Sequence, residues 1–88
     1  MYSLYSIRDK KTGSSMPPMA ARTVVDITRS LQSLYRQGGQ SPIIEYPEDY
    51  ELWLVGQFDE IKGSILTMEP QFIVSLLTFK PGVQNGSN

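Results

Sequence analysis

Neither cysteine nor histidine occurs in this chain of 88 residues. Without cysteine there is no disulfide, no thiolate nucleophile and no thiolate metal site. Without histidine the commonest general base and the commonest zinc ligand are missing as well. Serine and threonine do not restore an enzyme, because no histidine or activating lysine motif stands ready to take a hydroxyl proton. Long apolar runs are also lacking, and nothing approaches the roughly 20 residues that span a bilayer. The first residues hold no basic stretch followed by an apolar one, so no signal peptide is expected, and a reducing cytoplasm suits the composition. No glycine-rich phosphate loop follows a strand, since Gly38-Gly39 closes a helical pattern instead. No catalytic residue, metal or cofactor is assigned.

What the chain does have is best seen from Tyr46 to Asp59. Tyr50, Leu52, Leu54, Gly56 and Phe58 recur at a spacing of two, the mark of a half-buried strand, with Glu51, Trp53, Val55 and Gln57 on the other face. Asp59-Glu60 interrupts the alternation and Ile61–Met68 resumes it, which predicts a hairpin. Pro47-Glu48-Asp49 ahead of it is turn chemistry. Before this, Met1–Arg8 reads as a strand, Asp9–Ser15 as a polar loop, and Met19–Ala21 as a short strand or edge segment after the extended Pro17-Pro18.

A helix is predicted from Thr23, its N-cap, with Asp26 in the capping-box position. Val24, Ile27, Leu31, Leu34 and Tyr35 share one face, and Gly38-Gly39 ends it. Arg22, Arg29 and Arg36 recur every seven residues and are expected to line the opposite face, drifting only about 20° per heptad. Ser41–Tyr46 reads as extended. Pro70–Leu77 reads as a short helix with Pro70 at its first position, against the strand preference of Phe72-Ile73-Val74. Residues 81–88 read as a disordered tail. The expected fold is therefore α+β over residues 1–80: a small antiparallel sheet, one amphipathic helix packed on it, and a short C-terminal helical segment.

Charge is unevenly distributed. Residues 1–40 hold six basic against two acidic side chains, a net +4, whereas residues 41–88 hold two against seven, a net −5. Such a chain either offers a basic face to a polyanion or neutralises itself across the fold. The candidate nucleic-acid-binding residues are Arg8, Lys10, Lys11, Arg22, Arg29 and Arg36, because guanidinium groups pair with phosphates in a fork and single-strand binders add aromatic platforms. Tyr2, Tyr5 and Tyr35 lie in the same basic half; Tyr35 follows the apolar face and is expected to be packed. Trp53 and Val55, on the second face of their strand, are candidates for a partner surface or, for Trp53, base stacking. Glu45, Glu48, Asp49 and Glu51 lack the spacing of a calcium loop and read as a solvated turn. A chain this short buries only about 60–65% of its unfolded surface, which, with exposed sheet edges, makes a homodimer the expected state.

Tyr46-Pro47-Glu48-Asp49-Tyr50, Leu52, Gly56-Gln57-Phe58-Asp59 and Glu69-Pro70, in that order and spacing, resemble the small non-structural protein of gokushoviruses. These are single-stranded DNA microviruses typified by the phages of Chlamydia, and the protein is often called their fifth viral protein. Leu4–Asp9 is similar to the family's first strand, and Pro17-Pro18 with the helix behind it extends the likeness to roughly residues 1–80. The shared positions Tyr5, Pro18, Pro47, Glu48, Asp49, Leu52, Gly56, Phe58, Asp59 and Pro70 look like fold determinants. Thr23, where the pattern has Asn-Asp nearby, and the Gly- and Asn-rich ending depart from it. The resemblance implies a counterpart of microvirus protein C, acting in the host cytoplasm in the switch from duplex replication to single-strand synthesis and packaging. Its implied partner is single-stranded DNA. The alternative is a dimeric, non-catalytic adaptor that docks on the replication initiator or the procapsid.

Overall fold

The computed structural model describes residues 1–81 as a four-stranded antiparallel sheet with a single long helix on one face. The elements are β1 (Tyr2–Asp9), β2 (Met19–Ala21), α1 (Val24–Gln37), α2 (Pro42–Glu45), a 3-10 turn (Pro47–Asp49), β3 (Tyr50–Asp59), β4 (Ser64–Ser75) and a 3-10 turn (Leu76–Phe79). The strand order is β2-β1-β3-β4. This is the α+β architecture expected. The disordered tail expected for residues 81–88 lies, beyond Pro81, outside the described residues. Among the described residues no helix is long and apolar enough to cross a membrane.

Local chemistry explains α1 directly. Thr23 sits in an extended conformation and its Oγ1 accepts from the Asp26 backbone N–H at 3.2 Å, satisfying one of the orphan donors of the first turn. Gly38, at φ 74°, ends the helix while its N–H donates to the Leu34 carbonyl. Ile27, Leu31 and Tyr35, four residues apart, are buried against Tyr5, Ile7, Leu52, Leu76 and Phe79, which together form the core. Leu52 and Leu76 are sealed completely. The Tyr35 and Phe79 rings stack with centroids 6.4 Å apart.

Two segments differ from expectation. Ser41–Tyr46 is not extended: Pro42 opens the helical turn α2, with Ser41 as its N-cap and the Ser41 carbonyl accepting from Ile44 and Glu45. The Tyr35 hydroxyl donates to the Ile43 carbonyl, so this turn is tied to α1 by a side-chain bond that local propensity does not encode. Pro70–Leu77 is not helical either. β4 runs on to Ser75, and Phe72 and Val74 pair with Trp53 and Leu52, so β preference and strand pairing prevail over the proline signal. Only Leu76–Phe79 turns, as a 3-10 helix whose Ser75 hydroxyl caps Leu77.

The hairpin carries a further correction. Tyr5 pairs with Leu54 but Leu4 pairs with Gly56, so Val55 is an extra residue, a bulge. Cross-strand partners share a face. Leu52 and Leu54 therefore face the core with Tyr5 and Ile7, whereas Gly56 and Phe58 join Leu4 and Tyr2 on the opposite face instead of continuing the alternation. On the other side, Leu54 pairs with Gln71 and Gly56 with Thr67, so Met68, Glu69 and Pro70 all stand against Val55. Gly56 makes the close approach possible: a Cβ there would lie 2.9 Å from the Leu66 carbonyl oxygen.

Two measurements follow. Gly56→Ala forces the Leu66 backbone to move, and should lower stability by about 1–3 kcal/mol, read as a reduced urea midpoint at unchanged slope. Burial, followed by the nearby Tyr50 charge, pushes the Tyr35 phenol up to about 12. The folded state thus keeps a proton that the unfolded chain loses near about pH 10. The stability tied to Tyr35 should be intact below pH 10 and decline as pH rises towards 12, with the tyrosinate absorbance step that Tyr35→Phe removes appearing late in an alkaline titration.

Candidate nucleic-acid interface

The face of the sheet away from α1 has no element packed over it among the described residues. Strand alternation and the pairings place Tyr2, Leu4, Ser6 and Arg8 of β1 there, with Glu51, Trp53 and Phe58 of β3 and Ile65, Thr67 and Phe72 of β4. Trp53 and Phe72 are direct partners and meet edge to face, centroids 5.7 Å apart at 77°. The indole Nε1–H of Trp53 donates to Glu51 Oε1 at 3.1 Å, which holds the ring in one orientation. Phe72 is 51% exposed and Ile65 64%, so this face presents apolar and aromatic surface to solvent.

A cleft of about 320 Å³ opens on this face, lined by Arg8, Ser15, Trp53, Val55, Glu69 and Pro70. Each wall has a structural origin. After β1 the chain turns at Gly13 (φ 78°) and returns along β1, where Asp9 N–H donates to Ser14, Met16 N–H donates to Ile7, and Ser15 bridges to Arg8. The Ser6 hydroxyl donates to the Met16 carbonyl at 2.7 Å and anchors this return. Glu69 and Pro70 belong to the bulged segment of β4, and Pro70, having no N–H to offer a ladder, is tolerated there. Trp53 and Val55 come from β3 between these walls.

The six expected cations are not gathered on one surface. Arg22 lies ahead of α1, outside the helix, so the three-arginine stripe is reduced to Arg29 and Arg36 on the solvent side of α1. The guanidinium of Arg22 lies 4.6 Å from the Tyr2 ring centroid and its Nη2 donates to the Tyr2 hydroxyl at 3.1 Å. It therefore stands at the β1-start end of the uncovered face. Lys11 pairs with Asp49 at 3.4 Å, and the Lys10 N–H donates to the Asp49 carbonyl, so this stretch is fastened to the 3-10 turn before β3. Arg8 makes no ion pair among the described residues and lines the cleft.

Tyr5 and Tyr35 are buried and offer no stacking platform, while Tyr2 is half-buried beneath Arg22. Glu60 is held below the usual carboxylate range, first by its own backbone N–H, then by the Met1 ammonium 3.0 Å away, with Arg22 a smaller contributor. Trp53 and Val55, expected at a partner surface, stand beside Arg8, expected at a phosphate. Ser15, Glu69, Pro70 and Phe72 are not among the expected site residues, although Glu69-Pro70 belongs to the family resemblance and Pro70 to the expected fold determinants. Regular extension of the hairpin register would set Trp53 against Pro70, and only the register shift at Val55 brings Phe72 opposite Trp53.

The family model described as phage ORF5 protein matches residues 2–79 of the chain. No curated protein and no solved structure matches it.

Replacing Phe72 with alanine removes the ring partner of Trp53. The pair energy lost should be about 0.5–1.5 kcal/mol beyond area burial, accompanied by a change in the near-ultraviolet circular dichroism of the sole tryptophan.

Proposed function

Given that the chain belongs to the phage ORF5 protein family, we propose that it is the non-structural protein of a gokushovirus-type microvirus and binds single-stranded DNA non-specifically. It does so while the viral genome is made as a single strand and packaged. The finer assignment rests on the order of Tyr46–Tyr50, Leu52, Gly56–Asp59 and Glu69-Pro70. Pro47, Leu52 and Gly56 of these are buried, as suits residues that maintain a fold.

The observation that carries the binding reading is the uncovered sheet face, with a fixed Trp53–Phe72 pair and an arginine towards each end. Stacking on such a platform contributes about 1–3 kcal/mol per base and tolerates any sequence. Arg22 and Arg8 are separated by the length of β1, roughly 20 Å at about 3.3 Å per residue, so a strand crossing the face meets a guanidinium near either end. Duplex DNA keeps its bases stacked internally and offers this face only its backbone. Arg29 and Arg36 project from the other side of the sheet and would at most attract a trailing segment.

The adaptor reading draws support from a different feature. β1 has its free edge largely occupied by residues 14–21, whereas β4 is a twelve-residue edge strand with exposed Ile65 and Leu66 and the single charge Glu69. A homodimer paired along β4, or docking of an initiator or procapsid strand there, would use that edge. Sedimentation of the isolated chain separates this case from a monomeric binder.

Fluorescence anisotropy with labelled single-stranded and duplex oligonucleotides across a salt series tests the function. Single strands should bind better, with a log–log salt slope of about −1.4 to −2.8 for two to four phosphates. Trp53→Ala should weaken binding by roughly 5- to 100-fold with the circular dichroism of the fold retained, while Arg29→Glu with Arg36→Glu should change it far less. Binding lost in the helix double variant and kept in Trp53→Ala would move the site to α1; no binding at low salt would leave the adaptor.

A further inference from the structure

The cleft has a composition that neutral stacking alone does not require. Its apolar lining is Trp53, Val55 and Pro70; its polar lining is Arg8, Glu69 and Ser15. Among the described residues neither Arg8 nor Glu69 is engaged in an ion pair, so the cleft keeps a fork of donors and a pair of acceptor oxygens available at once. Trp53 is already oriented by Glu51 and Phe72, and Pro70 is stiff, so little ordering is needed on occupation. The volume, about 320 Å³, lies at the lower end of small-molecule sites.

We propose that this cleft takes one unstacked nucleobase of a bound strand and reads its polar edge, favouring guanine and disfavouring thymine. This deepens the single-strand-binding reading and rests on it for the strand, though not for the base. The chemistry is specific. Guanine presents two adjacent donors, N1–H and the exocyclic amine, which match the two oxygens of the Glu69 carboxylate. It also presents O6 and N7 as acceptors for a guanidinium, the commonest specific contact arginine makes with a base. Cytosine and adenine each present an amine for Glu69 but only one such donor group. Thymine presents a lone N–H between two carbonyl oxygens, and these oppose a carboxylate. A site that served phosphate alone would have no use for Glu69, whose charge repels the backbone. The non-specific platform of Trp53 and Phe72 and a single selective position at Glu69 then coexist on one face.

Trp53 is the only tryptophan in the sequence and lies in the cleft, so its fluorescence reports occupation without a label. The full chain is titrated with a short oligothymidine carrying one central guest base, read by both anisotropy and Trp53 emission, and then with deoxyguanosine and thymidine monophosphates. A guest guanine should tighten binding roughly 5- to 100-fold over thymine and quench Trp53, the discrimination expected of a bidentate contact. Glu69→Gln, at an exposed bulge position, should abolish that preference and tighten the binding of plain oligothymidine, because the charge that repels the backbone is gone. Equal affinity for all guest bases, or a guanine preference that survives Glu69→Gln, overturns the inference and leaves strand binding standing. If no oligonucleotide binds, strand binding fails. In that case quenching by deoxyguanosine monophosphate, and not by thymidine monophosphate, still upholds the cleft, and its absence overturns it too.

Discussion

The close approach of Gly56 to the Leu66 carbonyl is the constraint on which the pairing of β3 with β4 beside the uncovered face depends. The missing Cβ lets the β4 backbone at Leu66 close in on Gly56, next to the level where β3 carries one extra residue against β1 and β4 makes a three-residue excursion. The extra residue turns Phe58 away from the helix side and towards Tyr2. The excursion lifts Glu69 and Pro70 beside Trp53 and creates a cleft where a regular ladder would have left a flat surface. Bulges recur where a sheet must re-aim a side chain, and this one re-aims several.

The core is built on the other side with few parts. One helix supplies Ile27, Leu31 and Tyr35, and the C-terminal 3-10 turn supplies Leu76 and Phe79, around Leu52 of the central β3. That is enough to cover one face of the sheet and no more. Among the described residues a single helix on a four-stranded sheet leaves the second face uncovered, so Trp53 and Phe72 are held by each other and by Glu51 and not by a second layer. The same economy leaves the β4 edge open, whereas β1 is protected by its own returning chain and by the prolines Pro17 and Pro18 within it.

The charge asymmetry of the chain is partly resolved within the fold. Lys11 meets Asp49, and Arg22 contributes to the field around Glu60, so the basic half and the acidic half do touch. Exposed pairs of this kind add about 0–1 kcal/mol each and mainly consume cations that could otherwise face a polyanion. Among the described residues the cations outside ion pairs are distributed: Arg8 at the cleft, Lys10 on the loop after β1, Arg22 against the Tyr2 ring, Arg29 and Arg36 across the molecule on α1, and Lys62 and Lys80 in the second half of the chain. A repeat of seven was enough to align Arg29 with Arg36, but Arg22 falls outside because Thr23 stops the helix first.

Much of this was legible in the order of residues. The α+β class, the Thr23 cap, the Gly38 stop, the buried stripe Ile27-Leu31-Tyr35 and the hairpin all depend on neighbours within a few positions, and local chemistry carried them. So did the loss of histidine and cysteine chemistry, which is a matter of inventory. Ser41–Tyr46 and Pro70–Leu77 differ from expectation because each is held by partners outside its own segment, the Tyr35 hydroxyl and the β3 ladder. The company Trp53 keeps was decided in the same way. Arg8, Ser15, Glu69 and Pro70 reach it from three separate stretches, through a register shift that no local pattern encodes. Sequence alone thus determined the α+β class, helix α1 with its cap, stop and buried stripe, and the existence of the hairpin, since those follow from short-range periodicity and capping. Tertiary structure alone determined which cation stands beside which aromatic ring, since that follows from strand register.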